Sequence, residues 1–244
     1  MRVTCLSMFN NATGYLPRYF EQMARLRAAL QADGHYLQLL LVEGDSTDDT
    51  WPQMHSEVEQ YHFHATMWQH HHGQPLRRGT GHPERLANLS RIWNEMLDGV
   101  SPHADVVVIV ESDLVWQPET MLQLIQRSRE DGGIHCAMVW LGDEGSDLFY
   151  DIYLYRRNGV KFLNDAPYHA DLVMGEPLIL DCAGSCLVMP GSIARAHRTT
   201  AREELMGLCN SARAVGHAVI LDSDLSIYQP ESEWAGPQEF AGVV

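Results

Sequence analysis

Two carboxylates one residue apart close the most apolar run of the chain. In "VVVIVESDLVW", Val106 to Trp116, five apolar residues lead straight into Glu111-Ser112-Asp113. In an extended chain residues i and i+2 point to the same side, roughly 6.5 to 7 Å apart, so Glu111 and Asp113 can approach one ion directly or through water. Oxygen donors of this kind suit the hard cations Mg2+ and Mn2+, which are often shared with substrate phosphates. An isolated E-x-D also serves as a loop or turn cap, so the pair alone leaves both readings open.

A second acidic pair, Glu43 and Asp45, ends "YLQLLLVEGD", and Asn10-Asn11 follow the apolar run "VTCLSMF". In a parallel α/β sheet the carboxyl ends of the strands line one edge, where ligands bind. Asn10, Glu43, Asp45, Glu111, Ser112 and Asp113 are therefore expected on one crevice, with Glu43 and Asp45 placed to hydrogen-bond a base or ribose. Arg85 and Arg91, on the helical stretch before the acidic strand, can meet phosphate oxygens or lie on an ordinary solvated face.

The elements that would position these residues alternate. Strands are expected over Val3 to Phe9, Tyr36 to Asp45, His62 to Trp68, Val106 onward, His135 to Leu141, Ser185 to Pro190 and His217 to Asp224. Helices are expected from Pro17 to Ala32, Thr50 to Tyr61, His82 to Gly99 with Leu86, Leu89, Trp93 and Leu97 inward, Pro118 to Glu130, and Thr200 to Gly216. The pattern predicts an α/β fold: a Rossmann-like, mostly parallel sheet flanked by helices in one domain over residues 1–244. About 1–116 would form a nucleotide-binding half, and a family resemblance carried by the motifs implies an acceptor-binding half over 117–244.

Composition narrows the function classes. The 32 acidic residues against 17 basic ones give a net charge of -15, which disfavours a nucleic-acid acceptor or an anionic membrane surface without excluding a local basic groove. The five scattered cysteines and the absence of any apolar run near ~20 residues point to a reduced, cytoplasmic protein without a membrane span. Neither G-x-G-x-x-G nor a P-loop occurs, which argues against a dehydrogenase and a P-loop kinase. His62, His64 and His70 to His72 lack regular zinc-ligand spacing and read as a solvated loop. Cys182 and Cys186 have no second pair and read as packing residues. Trp140, Trp234 and Tyr150 can stack on a sugar, although burial is the default for aromatics.

Three segments in order resemble the GT-A glycosyltransferases, which use nucleotide sugars. "LLLVEGDSTDDT" is similar to their second-strand segment, and "VVVIVESDLVW" sits where their D-x-D metal motif belongs. "REELMGLCNSARAVGHAVILDSDLSIYQP" resembles their closing segment, where an acidic pair opens a helix and a histidine completes the metal site. The resemblance implies that Glu43 and Asp45 bind the nucleoside, that Asp113 holds Mn2+ or Mg2+ on the diphosphate, and that Glu111 assists through the ribose or a metal-bound water. Of the pair Glu203-Glu204, Glu204 is the candidate base in an inverting enzyme, with helix capping as the alternative. Gln229 stands at the place of the closing histidine. A fainter similarity, to fungal mannosyltransferases and capsule-associated glycosyltransferases, rests on "FYDIYLYRRNGVKF" and implies that Asp147, Asp151, Tyr153 and Arg156 face the donor sugar or acceptor. Asp151 and Asp181 stand with Glu204 as candidate catalytic carboxylates. The expected activity is transfer from a UDP- or GDP-linked sugar to an unidentified acceptor hydroxyl. A metal-dependent phosphohydrolase or nucleotidyltransferase, and a catalytically silent nucleotide-sugar binding module, are the alternatives.

Overall fold

Four valines and an isoleucine in a row, with no polar residue among them, can lie only where both faces of a strand are covered, and that requirement sets the middle of the sheet. The computed structural model describes residues 1–73 and 82–230. Its first half runs β1 (Arg2–Phe9), α1 (Leu16–Ala32), β2 (Tyr36–Glu43), α2 (Thr50–Gln60), β3 (Ala65–Gln69), α3 (Pro83–Asp98) and β4 (Val106–Val110). It continues with α4 (Pro118–Asp131), β5 (Ile134–Leu141), β6 (Arg156–Arg157), β7 (Val160–Lys161) and β8 (Pro177–Leu180). β9 (Cys186–Pro190), α5 (Gly191–Ala196), α6 (Leu205–Arg213) and β10 (Val219–Gln229) close the described chain.

Eight strands form one mostly parallel sheet in the order β3-β2-β1-β4-β9-β5-β10-β8, and β6 pairs with β7 in a small separate hairpin. β1 is parallel to β2 and β4, β2 to β3, and β10 to β5, whereas β9 is antiparallel to β4 and β5, and β8 to β10. Six strands thus point their carboxyl ends to the same edge. β9 runs the other way, so it delivers its beginning, Cys186 with Ser185 just before it, to that edge. All residues of β4 and β5 are buried. α1 sets Tyr19, Met23, Leu26 and Leu30 at full burial on one stripe, as its spacing predicts, and α4 stops at Gly132, whose left-handed φ of 77° suits glycine. On α3, Leu86, Trp93 and Leu97 are inward as expected, while Leu89 is only half-buried and Ser90, Ile92 and Met96 take the remaining inward places.

Several boundaries differ from expectation, and two of the differences follow from polar side chains with internal partners. The last strand does not stop at Asp224 but runs to Gln229, with its register to β5 jumping from Asp222↔Ala137 to Ser226↔Met138. Ser223, Asp224 and Leu225 form the bulge, and its polarity is absorbed locally. Arg127 on α4 bonds Asp222 and Asp224, and the Ser223 hydroxyl donates to the Glu176 carbonyl at 2.8 Å. The expected helix from Thr200 begins only at Leu205, because 199–204 is a loop held by α3. The third strand begins at Ala65, three residues after His62.

The bulge is anchored by His135 of β5, whose ring meets Asp222 Oδ2 at 2.7 Å and Asp131 Oδ1 at 3.0 Å. Burial opposes charge on this ring, but the two carboxylates outweigh it and raise its pKa above the ordinary histidine value. A raised folded-state value means that the stabilisation is complete below the unfolded pKa of ~6.5 and fades as pH climbs through the higher folded one. Chemical denaturation of wild type and His135→Gln at about pH 6 and about pH 9 should therefore show the wider stability gap at the lower pH; an equal gap at both would refute a charged His135.

Candidate active site

Glu43 and Asp45 leave β2 in different directions. Glu43 turns inward, 1% exposed, and its two oxygens accept from the Ser46 amide at 2.6 Å and from Gln69 Nε2 at 2.8 Å, so it shapes the loop instead of facing the crevice. Asp45, at φ 49°, stays partly exposed. It accepts from the His71 ring at 3.0 Å and from the amides of His72 and Gly73, both at 3.0 Å. The His71 hydrogen bond holds the Asp45 carboxyl below its usual range, and the backbone amides add to it against the effect of burial. The histidine run is accordingly not a free solvated loop: His71 and His72 pack on Asp45, and His70 meets Glu95 on α3 at 3.1 Å. Asn10 donates to the Gly44 carbonyl, and Asn11 accepts from the Thr47 amide at 2.8 Å. These amides clip the loops after β1 and β2 together.

The E-x-D segment is braced from behind. Ser112 donates to the Met8 carbonyl at 2.7 Å, tying it to β1 and leaving its hydroxyl committed to the scaffold. The Glu111 amide donates to the Ser185 carbonyl at 2.8 Å, and Arg18 of α1 donates to the Asp113 carbonyl at 2.7 Å. Gln229, 1% exposed at the end of β10, donates its amide to Asp113 Oδ2 at 3.1 Å. Its own Oε1 is buried with no hydrogen-bond partner among the described residues.

Two further carboxyls arrive from the second half. Asp151, 6% exposed, accepts from the Leu154 amide at 3.0 Å and the Ser185 hydroxyl at 2.8 Å. Glu204, 8% exposed, is the residue before α6, yet its side chain makes no cap to that helix. It points inward and accepts from the Trp93 indole N–H at 3.1 Å. The acids feel one another. Burial pushes the Glu111 carboxyl well above the usual range, Asp113, Asp151 and Glu204 add to the push, and Arg85 opposes it. Burial likewise lifts Asp151 to about 6 and raises Glu204, where the Trp93 hydrogen bond and Arg85 pull back. The Tyr150 phenol is raised by burial and then by Glu111, Asp113 and Asp151, which puts Tyr150 on the border of the same cluster.

A sheet edge that gathers acids from the loops after β2, β4 and β5 and from the loop before α6, with Gln229 at the end of β10 beside them, can be compared with solved structures. The chain is similar to S. aureus TarS, a glycosyltransferase, at 12% identity and a TM-score of 0.55, covering 98% of this chain and 38% of that one. It is similar to TarS 1–349 at 12% identity and a TM-score of 0.52, and to TarS 1–349 in complex with UDP at 13% and 0.54. In both cases 98% of this chain and 62% of the other are covered. The fold is GT-A-like. The chain spans less than two thirds of the length of each of these structures. No protein-family model matches it, and no curated protein matches it in sequence.

Seen on this GT-A-like sheet, some expected site residues lie elsewhere. Arg91 is exposed and bonds Asn88 on its own helix, one turn away, so Arg85 alone of the two reaches the acids. Asp181 is not with the other carboxyls: it accepts from the Gly159 amide at 2.6 Å and pairs with Arg213 at 3.0 Å, a clip between the hairpin turn and α6. Asp147 is exposed, and its carbonyl accepts from the Tyr168 hydroxyl. Trp140 is buried against Phe149 and Tyr168, with its N–H given to Ser226, so it is not a stacking platform. Trp234 lies outside the described residues. Cys182 and Cys186 are buried free thiols. Arg156 donates weakly to the Tyr153 carbonyl at 3.4 Å, and Tyr153 lies within electrostatic reach of Glu204.

Sequence reasoning missed Arg18, Ser185 and the donor role of Trp93. Nothing local marks Arg18 or Ser185, which come from the first turn of α1 and the residue just before an antiparallel strand. Trp93 was legible as a core residue, and its N–H gave no signal without Glu204 beside it. The loop carrying Glu204 also depends on Gly207, where an added methyl would lie 2.8 Å from the Thr200 nitrogen, Cγ2 and Oγ1. Gly207→Ala should cost about 1–3 kcal/mol, read as a lower urea midpoint with an unchanged m-value; wild-type stability would mean that this loop yields freely.

Proposed function

We propose that the chain is a metal-dependent glycosyltransferase that moves a sugar from a UDP- or GDP-linked donor to an acceptor hydroxyl. The observation that carries this reading is the meeting of Asp113, Asp151, Glu204 and Arg85 within electrostatic reach of Glu111 at the carboxyl edge of the GT-A-like sheet. A uridine nucleotide is favoured by the likeness to TarS 1–349 in complex with UDP.

Asp45 would meet the base or ribose, with Glu43 and Asn10 holding its loop in shape. No group of three or more His, Cys, Asp or Glu among the described residues is arranged to hold a metal by itself. A cation shared with the donor's phosphates asks for less, and the residues present fit it: the Asp113 carboxylate, the Oε1 of Gln229, which has no hydrogen-bond partner among the described residues, and Glu111 directly or through water. All are oxygen donors, which suits Mg2+ or Mn2+. Such an ion would offset the charge that develops on the departing diphosphate. Arg85 can share that task and lower the repulsion among the acids. In an inverting displacement the acceptor oxygen attacks the anomeric carbon, the carbon–oxygen bond to the diphosphate breaks, and the acceptor proton passes to Glu204. Burial makes Glu204 more basic than an ordinary glutamate, which suits a base working near neutrality. Asp151, held by Ser185 and Leu154, would support the sugar or the loop beside it. All five cysteines are buried free thiols and no helix among the described residues is long and apolar enough to cross a membrane, which supports the cytoplasm as the working compartment.

Calorimetry with UDP, GDP and their sugars, with and without Mn2+ or Mg2+, tests the donor. Binding should tighten with the ion, and Asp113→Ala should abolish that linkage. Glu204→Gln should keep donor binding but lower donor turnover roughly a hundredfold or more. Nucleotide binding indifferent to metal and to Asp113→Ala would remove the proposal, and cleavage at phosphorus instead of release of intact nucleoside diphosphate would replace it with a phosphohydrolase or nucleotidyltransferase.

A further inference from the structure

α3 presents three polar groups to the loop that carries Glu204. Ser90 donates to the Thr200 carbonyl, Asn94 accepts from the Thr199 amide at 2.9 Å and donates to its carbonyl at 3.2 Å, and Trp93 donates to the Glu204 carboxylate. Residues i, i+3 and i+4 lie on one helix face, so a single surface grips the loop backbone and the acid together. The loop needs such a grip. Glu204 sits at φ 48° and ψ −127°, a conformation unfavourable for a residue with a side chain, and its amide is held by the Thr200 carbonyl at 2.9 Å.

The Glu204 side chain is free to do something other than cap a helix. An acidic residue directly before a helix ordinarily turns back onto the first amides, but here that bond is absent. The carboxylate instead reaches a residue 111 positions away in sequence. Trp93 is 1% exposed and its N–H must find a partner there. A carbonyl or hydroxyl would satisfy it, yet the partner is a carboxylate, which makes the bond charge-assisted and directional. Only one Glu204 oxygen is bonded by the indole. The groups facing this carboxylate are Arg85 from α3, Glu111 after β4, and Asp151 and Tyr153 from the segment after β5.

We propose that Trp93 is a positioning residue of this site, its indole N–H holding one oxygen of Glu204 so that the other is aimed at the acceptor hydroxyl. The proposal rests on Glu204 acting as the base, and it adds that the base is oriented from the nucleotide-binding half of the chain, by the helix that also carries Arg85.

The test uses the full chain labelled with 15N at the indole nitrogens of its six tryptophans. The Trp93 signal is assigned from its through-bond and through-space connectivities in the wild-type chain, and its disappearance in Trp93→Phe serves as a check. In Glu204→Gln the Trp93 N–H signal should move, because a charged acceptor is replaced by a neutral one. In turnover of the nucleotide sugar that the enzyme hydrolyses, Trp93→Phe should lower kcat roughly ten- to a hundredfold with the donor KM unchanged, the range expected for one hydrogen bond to a charged group. An unmoved Trp93 signal in Glu204→Gln overturns the proposal, and this reading decides the matter if Trp93→Phe fails to fold. An inactive Glu204→Gln beside a fully active Trp93→Phe overturns the positioning role and leaves the base in place. A fully active Glu204→Gln removes the base and the proposal with it.

Discussion

Keeping four carboxyls within reach of one another is the constraint on which the candidate site turns. Like charges brought together away from bulk water raise one another's pKa values and push apart the backbone that carries them. Nearly every scaffold contact at the carboxyl edge answers that push. Ser185 holds Asp151 by its hydroxyl and Glu111 by its carbonyl, Arg18 and Gln229 hold Asp113, and Trp93 with Arg85 restrains Glu204. Where the acids are not needed close together, the fold separates them: Glu43 is drawn under its loop by Gln69, and Asp45 is hydrogen-bonded to the His71 ring.

The backbone geometry follows from the same need. An all-parallel sheet would offer the edge only strand ends, whose following loops rise away from it. The antiparallel β9 offers a strand beginning instead, and Ser185 enters low, at the level of Glu111. The helices act as struts between the loops: α1 braces the E-x-D segment through Arg18, and α3 braces the loop before α6 through Ser90, Trp93 and Asn94. Both halves of the chain therefore share one sheet and one cluster of side chains.

Much of this was readable in the sequence. The apolar runs and helix stripes placed the strands and helices that form the framework, because burial on one or both faces leaves a period in the sequence. Glu111, Asp113, Asp151, Glu204 and Gln229 were legible as polar residues at the ends of apolar runs or within the segments that carry the GT-A resemblance, and the structure brings them to one edge. What failed was partnership over long distances. Asp181 and Arg91 are as polar as their neighbours, and only Arg213 and Asn88 reveal that they are occupied elsewhere. The "DSD" of β10 looks like a strand end until Arg127 and His135 are seen to accept it. The direction of β9 leaves no mark on its own residues at all.

That "DSD" bulge has a metric consequence. β10 spends three more residues than β5 between the Asp222↔Ala137 and Ser226↔Met138 pairs. Laid flat at about 3.3 Å each, those residues would carry Gln229 roughly 10 Å farther along the sheet, beyond the loop that holds Asp113. The ion pairs of α4 take up that slack as a pleat in a tape does, and the length of β10 is thereby gauged against that helix. Insertions or deletions within 222–226 would thus be felt as a change of reach at a glutamine that they never touch.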